Sequence, residues 1–411
     1  MTGSLGRVTA LASAPEDLEA KPRQRRARAA IIAGAALATI GALCGWAIYL
    51  ELNGLIGRAA LVYALLFAFL PVAPLVAVFL WLDRARPEPP RLLLVALLWG
   101  ALGAAYISLE LNGWLARQLG DQYGVTARSA VFVAPWVEET MKAAVVFALV
   151  WWRRHDFNAV IAGAVYGGLA GIGFAFTENI VYYGQLFQRV KDFDGDQAVA
   201  LRAVEHLFAW RGVAAPFVHP MFTMLTGVGI GLAVRHRHVG ARILAPVAGF
   251  CAAVLVHMGY NAAATFAPGA AMRVVYAALL VPVLAALVAA LLFVRQHEFR
   301  VLAARLGDYT AFGWLPATHV FYIATFKGRR LARRHVEALS PADRDALRRF
   351  QRVGGELGML RDRLVRGVAG PDELPREEEL IRQLRALRDR VTLPSTAADS
   401  EPCLTRASSS W

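Results

Sequence analysis

An all-α polytopic membrane helix bundle, with about eight transmembrane helices and a charged helical C-terminal tail, is the fold class this sequence predicts. Three observations predict it. Hydrophobic residues make up 57% of the 411-residue chain and charged ones only 18%, more apolar surface than a soluble chain of this length can bury. The apolar residues come in blocks of about twenty, each enough to cross a bilayer core, where only a helix satisfies its own backbone. Arginines gather at the ends of those blocks, as topology signals do.

The expected spans are 29–50, 59–82, 92–115, 129–152, 158–184, 212–234, 243–266 and 274–294. Arg23, Arg25, Arg26 and Arg28 precede the first, Arg84, Arg86 and Arg91 follow the second, Arg153 and Arg154 the fourth, and Arg235, Arg237 and Arg242 the sixth. The loops near 51–58, 116–128 and 267–273 are poorer in Arg and Lys, so both termini are expected in the cytoplasm of a plasma membrane. The 185–211 stretch, with Asp192, Asp194, Asp196 and Glu205 beside Arg189, Lys191, Arg202 and Arg211, is expected as an outer loop. The first block is too long for a cleavable signal peptide and lacks a cleavage site. The expected organisation is a basic cytosolic segment 1–28, a bundle 29–294 with a catalytic core about 129–266, and a charged cytosolic tail 295–411. The tail is expected to be helical around 341–366 and 374–391, and Phe312 to Phe326 to lie on the membrane surface or pack against the helices.

The composition excludes disorder, fibrous repeats and a disulfide scaffold. Cys44, Cys251 and Cys403 are too dispersed for a CxxC site. The net charge of +13 comes from Arg, with only Lys21, Lys142, Lys191 and Lys327 as lysines. It points to anionic headgroups rather than nucleic acid, and an Arg- and Ala-rich composition suggests a bacterial source.

Ionisable residues within spans cost about 2.5–3.5 kcal/mol each on insertion scales, so they mark function by default. Nearly all of them fall on spans four to seven. Span four carries Glu138, Glu139 and Lys142; Glu138 and Lys142 share a face, leaving Glu139 without that partner. Span five carries Phe174, Glu178 and Asn179, span six His219, and span seven His257 and Asn261 at i and i+4. Counted from the outer ends of alternating spans, Glu138, Glu178, His219 and His257 fall roughly 9–15 Å deep, one layer on four helices. Gly163, Gly167 and Gly171 give span five a smooth ridge for a close neighbour. A shared polar cavity follows.

Such a cavity can activate water against an amide. A carboxylate serves as general base and a His or Asn as oxyanion donor. Two histidines and a glutamate also match a catalytic zinc set with an open fourth position, and both chemistries stay open on the sequence. HExxH, intramembrane aspartate pairs and a GxSG serine are absent. The Asp192–Asp196 run lacks the glycine and glutamate placement of a calcium loop.

At these residues the chain resembles the PrsW family of intramembrane endopeptidases, in the superfamily of the CAAX prenyl endopeptidases and Abi proteins. The matching pieces are EExxK at Glu138, Glu139 and Lys142, FxxxEN at Phe174, Glu178 and Asn179, HP at His219, and HxxxN at His257 and Asn261. The CAAX relatives end the second motif in His where Glu178 stands here. The resemblance spans about 130–262 and implies proteolysis of a membrane-anchored protein, such as an anti-sigma factor. It implies Glu138 or Glu139 as the water-activating base, Glu178 and His219 as its partners, His257 and Asn261 as oxyanion donors or ligands, and Lys142 as the cation that orients a glutamate. With a bound metal such as zinc, His219, His257 and Glu178 are the expected ligands. Two other classes remain open at this level: a transporter using the same groups as a relay, and a non-catalytic scaffold recruiting partners through the tail.

Overall fold

The computed structural model describes residues 17–84, 87–118, 127–152, 160–236, 238–266, 269–367, 369–370 and 373–394. The flanking arginines Arg86, Arg153, Arg154 and Arg237, and Cys403, lie outside the described residues. All regular structure among the described residues is helical, and six helical stretches are long and apolar enough to cross a membrane. The protein is therefore an all-α, multi-pass membrane bundle.

In chain order the elements are α1 (Asp17–Phe69), α2 (Val72–Asp83), α3 (Pro90–Leu98) and α4 (Ala105–Gln118), then α5 (Ala127–Phe132), α6 (Ala134–Trp152) and α7 (Val160–Asp194). There follow α8 (Gln197–Phe208), α9 (Val218–Arg235), α10 (Val239–Phe266), α11 (Ala270–Val275) and α12 (Val281–Ala311). The C-terminal helices are α13 (Ala317–Ala324), α14 (Phe326–Glu337), α15 (Pro341–Arg366) and α16 (Glu373–Arg388). Wide π-type turns at Trp99–Ala104, Ala209–Ala214 and Tyr276–Leu280 carry the chain from α3 to α4, out of α8, and from α11 to α12.

Six of the eight expected spans coincide with the six membrane-length stretches; the one expected at 29–50 lies within the helix α1, and the one expected at 129–152 is interrupted. Residues 51–58, expected as an outer loop, are helical, because α1 runs unbroken until Pro71 removes a backbone donor. The span expected at 129–152 is broken between α5 and α6, and the 19-residue α6 carries Glu138, Glu139 and Lys142, more charge than a lipid-facing helix tolerates. The expected outer loop 185–211 is also corrected. It is the C-terminal part of α7 and all of α8, with Asp196 capping α8 by accepting from the Ala198 amide at 2.7 Å.

The centre of the bundle is α7. Within its apolar stretch 94% of residues are buried, against 11% for α10 and 17% for the last span, so α7 is wrapped by protein while those two face lipid. Small residues make this possible. A Cβ on Gly163 would lie 2.1 Å from the carbonyl oxygen of Gly227, and one on Gly171 would lie 2.5 Å from that of His219. The expected glycine ridge is therefore the seam on which α9 rides backbone to backbone, and its last step seats His219 against α7.

The apolar block expected to end at Val294 continues as helix to Ala311, and its polar half joins a second core with α13 and α15 around Phe299, Ile323, Phe350 and Leu357. The patch Phe312 to Phe326 thus packs against helices through Val320 and Ile323. A reciprocal Ser340–Asp343 cap starts α15, and Gly367 ends it with φ of 60°.

Candidate active site

Four helices bring the expected intramembrane residues together. On α6, Glu138, Glu139 and Lys142 are all buried, although lipid surrounds the bundle. The kink after α5 and the wide turn at Trp99–Ala104 hold α6 in place, with the Trp99 indole donating to the Met141 carbonyl at 2.8 Å. Lys142 takes two roles. Its Nζ donates to Glu139 Oε1 at 2.6 Å and stands 3.7 Å from Glu138 Oε2, and it sits 3.9 Å over the Phe174 ring. That ring explains the FxxxEN phenylalanine: it covers a desolvated ammonium with its negative face.

Glu139 is saturated. Besides Lys142, its Oε2 accepts from Thr223 on α9 at 2.9 Å and its Oε1 lies 3.0 Å from His257 Nδ1 on α10. Glu138 is not. Its Oε1 accepts a long bond from Asn112 on α4 at 3.4 Å, and its Oε2 is buried with no hydrogen-bond partner among the described residues.

On α9, His219 places Nδ1 3.4 Å from Lys142 Nζ. Its Nε2 lies 2.8 Å from Glu178 Oε2, so a carboxylate faces this nitrogen. On α7, Glu178 is ion-paired with Arg211, whose Nε donates to Asn179 Oδ1 at 2.8 Å. The Arg211 guanidinium stacks over Tyr182 at 4.1 Å.

Of the expected residues, Asn261 is not drawn into this group. Its side-chain amide donates to the Ala130 carbonyl at 2.9 Å, tying α10 to α5. Three contributors are not evident from sequence patterning: Arg211, Thr223 and Asn112. Arg211 falls in the stretch expected as a loop, where arginine is ordinary. Thr223 and Asn112 are uncharged and carry no spacing signal, although Thr223 lies four residues after His219, one turn along the same face.

One carboxylate oxygen of Glu138 and one nitrogen each of His219 and His257 lie within 4.8 Å of one another, all three residues buried. Glu178, expected as a ligand, sits beside His219 but is not in this converging trio. Of these three residues, Glu138 has a buried carboxylate oxygen, Oε2, with no hydrogen-bond partner among the described residues. His257 is backed through Nδ1 by a carboxylate, the arrangement that orients a metal-binding imidazole. The residues present fit a divalent cation of borderline softness.

Residues 88–287 match the model of the PrsW family of intramembrane metalloproteases. The chain carries a PrsW-family domain. That domain contains every one of the site residues and extends well beyond the motifs at both ends, from the buried Glu88, which accepts a hydrogen bond from Tyr166 at 2.9 Å, into α12. The match implies a peptide hydrolase acting in a membrane on a protein substrate, and the family is described as one of metalloproteases. No curated protein and no solved structure matches the chain significantly.

Proposed function

We propose that the protein hydrolyses a peptide bond of a membrane-anchored protein within the bilayer, using zinc held by Glu138, His219 and His257. The single observation carrying this reading is the convergence of Glu138, His219 and His257, three buried residues whose ligand atoms lie within 4.8 Å of one another. Glu138 Oε2, buried with no hydrogen-bond partner among the described residues, costs about 1–3 kcal/mol when left unsatisfied, and a cation beside it removes that cost. When bound, the metal supplies a Lewis acid for the scissile carbonyl and acidifies an adjacent water.

The chain's own residues do the remaining work. Glu178 has an 18% exposed side chain, so water reaches it more readily than the sealed Glu139. It takes the proton of the attacking water and returns it to the leaving amine nitrogen. Arg211 and, through Arg211, Asn179 hold that carboxylate in one orientation. Glu139, clamped by Lys142 and Thr223, orients His257 rather than moving a proton. In this reading the role of base passes from Glu138 or Glu139 to Glu178, and Asn261 acts only by fixing α10.

The substrate class is a single-span protein, an anti-sigma factor of a bacterial cell among them. The arginine-rich helix ends, both termini and the 295–411 segment lie on the cytoplasmic side of the plasma membrane, and the catalytic core spans about 129–266.

The test is cleavage of a panel of single-span proteins by the purified chain in detergent. Wild type, Glu138→Gln and Glu178→Gln are compared with and without a strong chelator. Loss on chelation with recovery on added zinc is the expected result. Cleavage that needs Glu138 yet survives chelation would replace the metal with a glutamate-only mechanism, and full activity of Glu178→Gln would remove it as the base.

A further inference from the structure

A cavity of about 540 Å³ opens where the end of α2 and the middle of α12 meet α14. Six arginines line it, Arg84, Arg295, Arg329 and Arg333 among them, and Glu337 is the one carboxylate among its described lining residues. A run of arginines on a helix is usually a solvated face, and the exposed Arg330 and Arg334 fit that description. Arg295 and Arg329 do not, since each is only 5% exposed.

Arg295 is held as a binding group would be. Its guanidinium lies 4.4 Å from the Trp81 ring and 4.2 Å from the Phe326 ring, while its Nε is buried with no hydrogen-bond partner. Arg329 donates its Nε to the Ile323 carbonyl at 2.6 Å, which fixes its fork in place. Arg333 is anchored more loosely to the Arg329 carbonyl at 3.4 Å. The crowding is electrostatically costly: burial, then Arg333 and Arg295, press the Arg329 guanidinium down to about 10. Preorganised guanidinium forks in a partly desolvated cavity match the charge and oxygen geometry of phosphate.

The position adds a second constraint. Trp81 lies at the end of the apolar stretch Ala60–Asp83, and Arg295 directly follows the apolar block expected to end at Val294. Tryptophan and arginine at the ends of spans lie at headgroup level. We propose that this cavity binds a phosphate-bearing anion, supplied either by an anionic phospholipid headgroup or by a soluble phosphate compound. The site is separate from the Glu138–His219–His257 group and stands whether or not that group binds zinc.

Native mass spectrometry of the full chain in uncharged detergent tests it, with phosphatidylglycerol and inorganic phosphate as separate probes. Arg84→Gln/Arg333→Gln removes two cavity charges that are exposed or half-buried, so the fold is expected to persist, as gel filtration would verify. Arg348→Gln/Arg349→Gln removes two exposed arginines elsewhere on the C-terminal helices as a charge-matched control. The expected result is at least about tenfold weaker binding of one probe by the cavity variant, with the control near wild type. A loss confined to phosphatidylglycerol identifies the headgroup, and a loss of inorganic phosphate identifies the soluble source. Wild type that binds neither probe, a cavity variant within about twofold of wild type for both, or a control weakened equally would overturn the proposal.

Discussion

The Nδ1 atom of His257 lies 3.0 Å from Oε1 of Glu139, and this contact decides which face of the imidazole is available. With Nδ1 engaged, Nε2 is the nitrogen left towards Glu138, 3.7 Å from its Oε2. The adjacent glutamates of span four thus do different things. One braces a histidine from behind, and the other meets it in front.

Bracing of this kind has a measurable size. Glu139→Gln should weaken zinc binding, and cleavage with it, by about 10–100-fold, because an outer-shell carboxylate fixes tautomer and ring orientation. Competition against a chelator of known affinity reads the first and initial rates the second. Thr223→Val, which removes one of the three contacts to Glu139, should cost less. Unchanged affinity in Glu139→Gln would refute the bracing role.

Glu138→Gln should act on the metal itself. Elemental analysis of the purified chain should show about one zinc per wild-type molecule and well under half of that in the variant, with cleavage lower by about 10³-fold or more. Equal zinc content in both would exclude Glu138 as a ligand.

With Glu178 as the proposed base, Arg211 positions it, and replacing Arg211 should separate binding from turnover. Arg211→Ala is expected to lower kcat by about 10–100-fold with KM little changed, because the Glu178 carboxylate loses its orientation. Arg211→Lys should recover only part, since an ammonium cannot hold Glu178 and Asn179 at once in the planar fork geometry. A rise in KM alone would instead make Arg211 a substrate contact.

The α7–α9 seam should be intolerant of a single methyl group. Gly163→Ala puts a Cβ 2.1 Å from the Gly227 carbonyl oxygen and should destabilise the bundle by about 1–3 kcal/mol through overpacking. Gly240→Ala, whose Cβ meets nothing within 4 Å, should be neutral or slightly stabilising. Thermal unfolding in detergent compares the two, and an equal Tm would refute the close seam.

The membrane bundle and most of the site residues were legible in the sequence because of one physical fact. Lipid makes an intramembrane charge costly, so Glu138, Glu139, Lys142, Glu178, His219 and His257 stand out against apolar flanks without any structure. The glycine ridge was legible for a related reason, since repeated small residues leave a helix face open to close approach. Arg211 was not legible, because it fell at the end of the 185–211 stretch read as a loop, where an arginine is unremarkable. The unbroken α1 was missed because Gly54 and Gly57 weaken a helix without ending it, whereas Pro71 does end it.

Composition and periodicity alone determined that this chain is a helical membrane protein with a polar layer on four of its helices. They could not divide the labour within that layer, because spacing along one helix fixes which residues share a face and nothing about the rotation of one helix against another. The packing of α6 and α9 against α7, and of α10 against α9 and α6, decided that. It turned Glu139 inward to His257, Lys142 and Thr223 and left Glu138 facing both imidazoles. It also brought Arg211 to Glu178 across 33 residues of chain. Contacts of that kind arise only once buried charges must find partners in three dimensions, which is the constraint the bilayer imposes and the tertiary structure resolves.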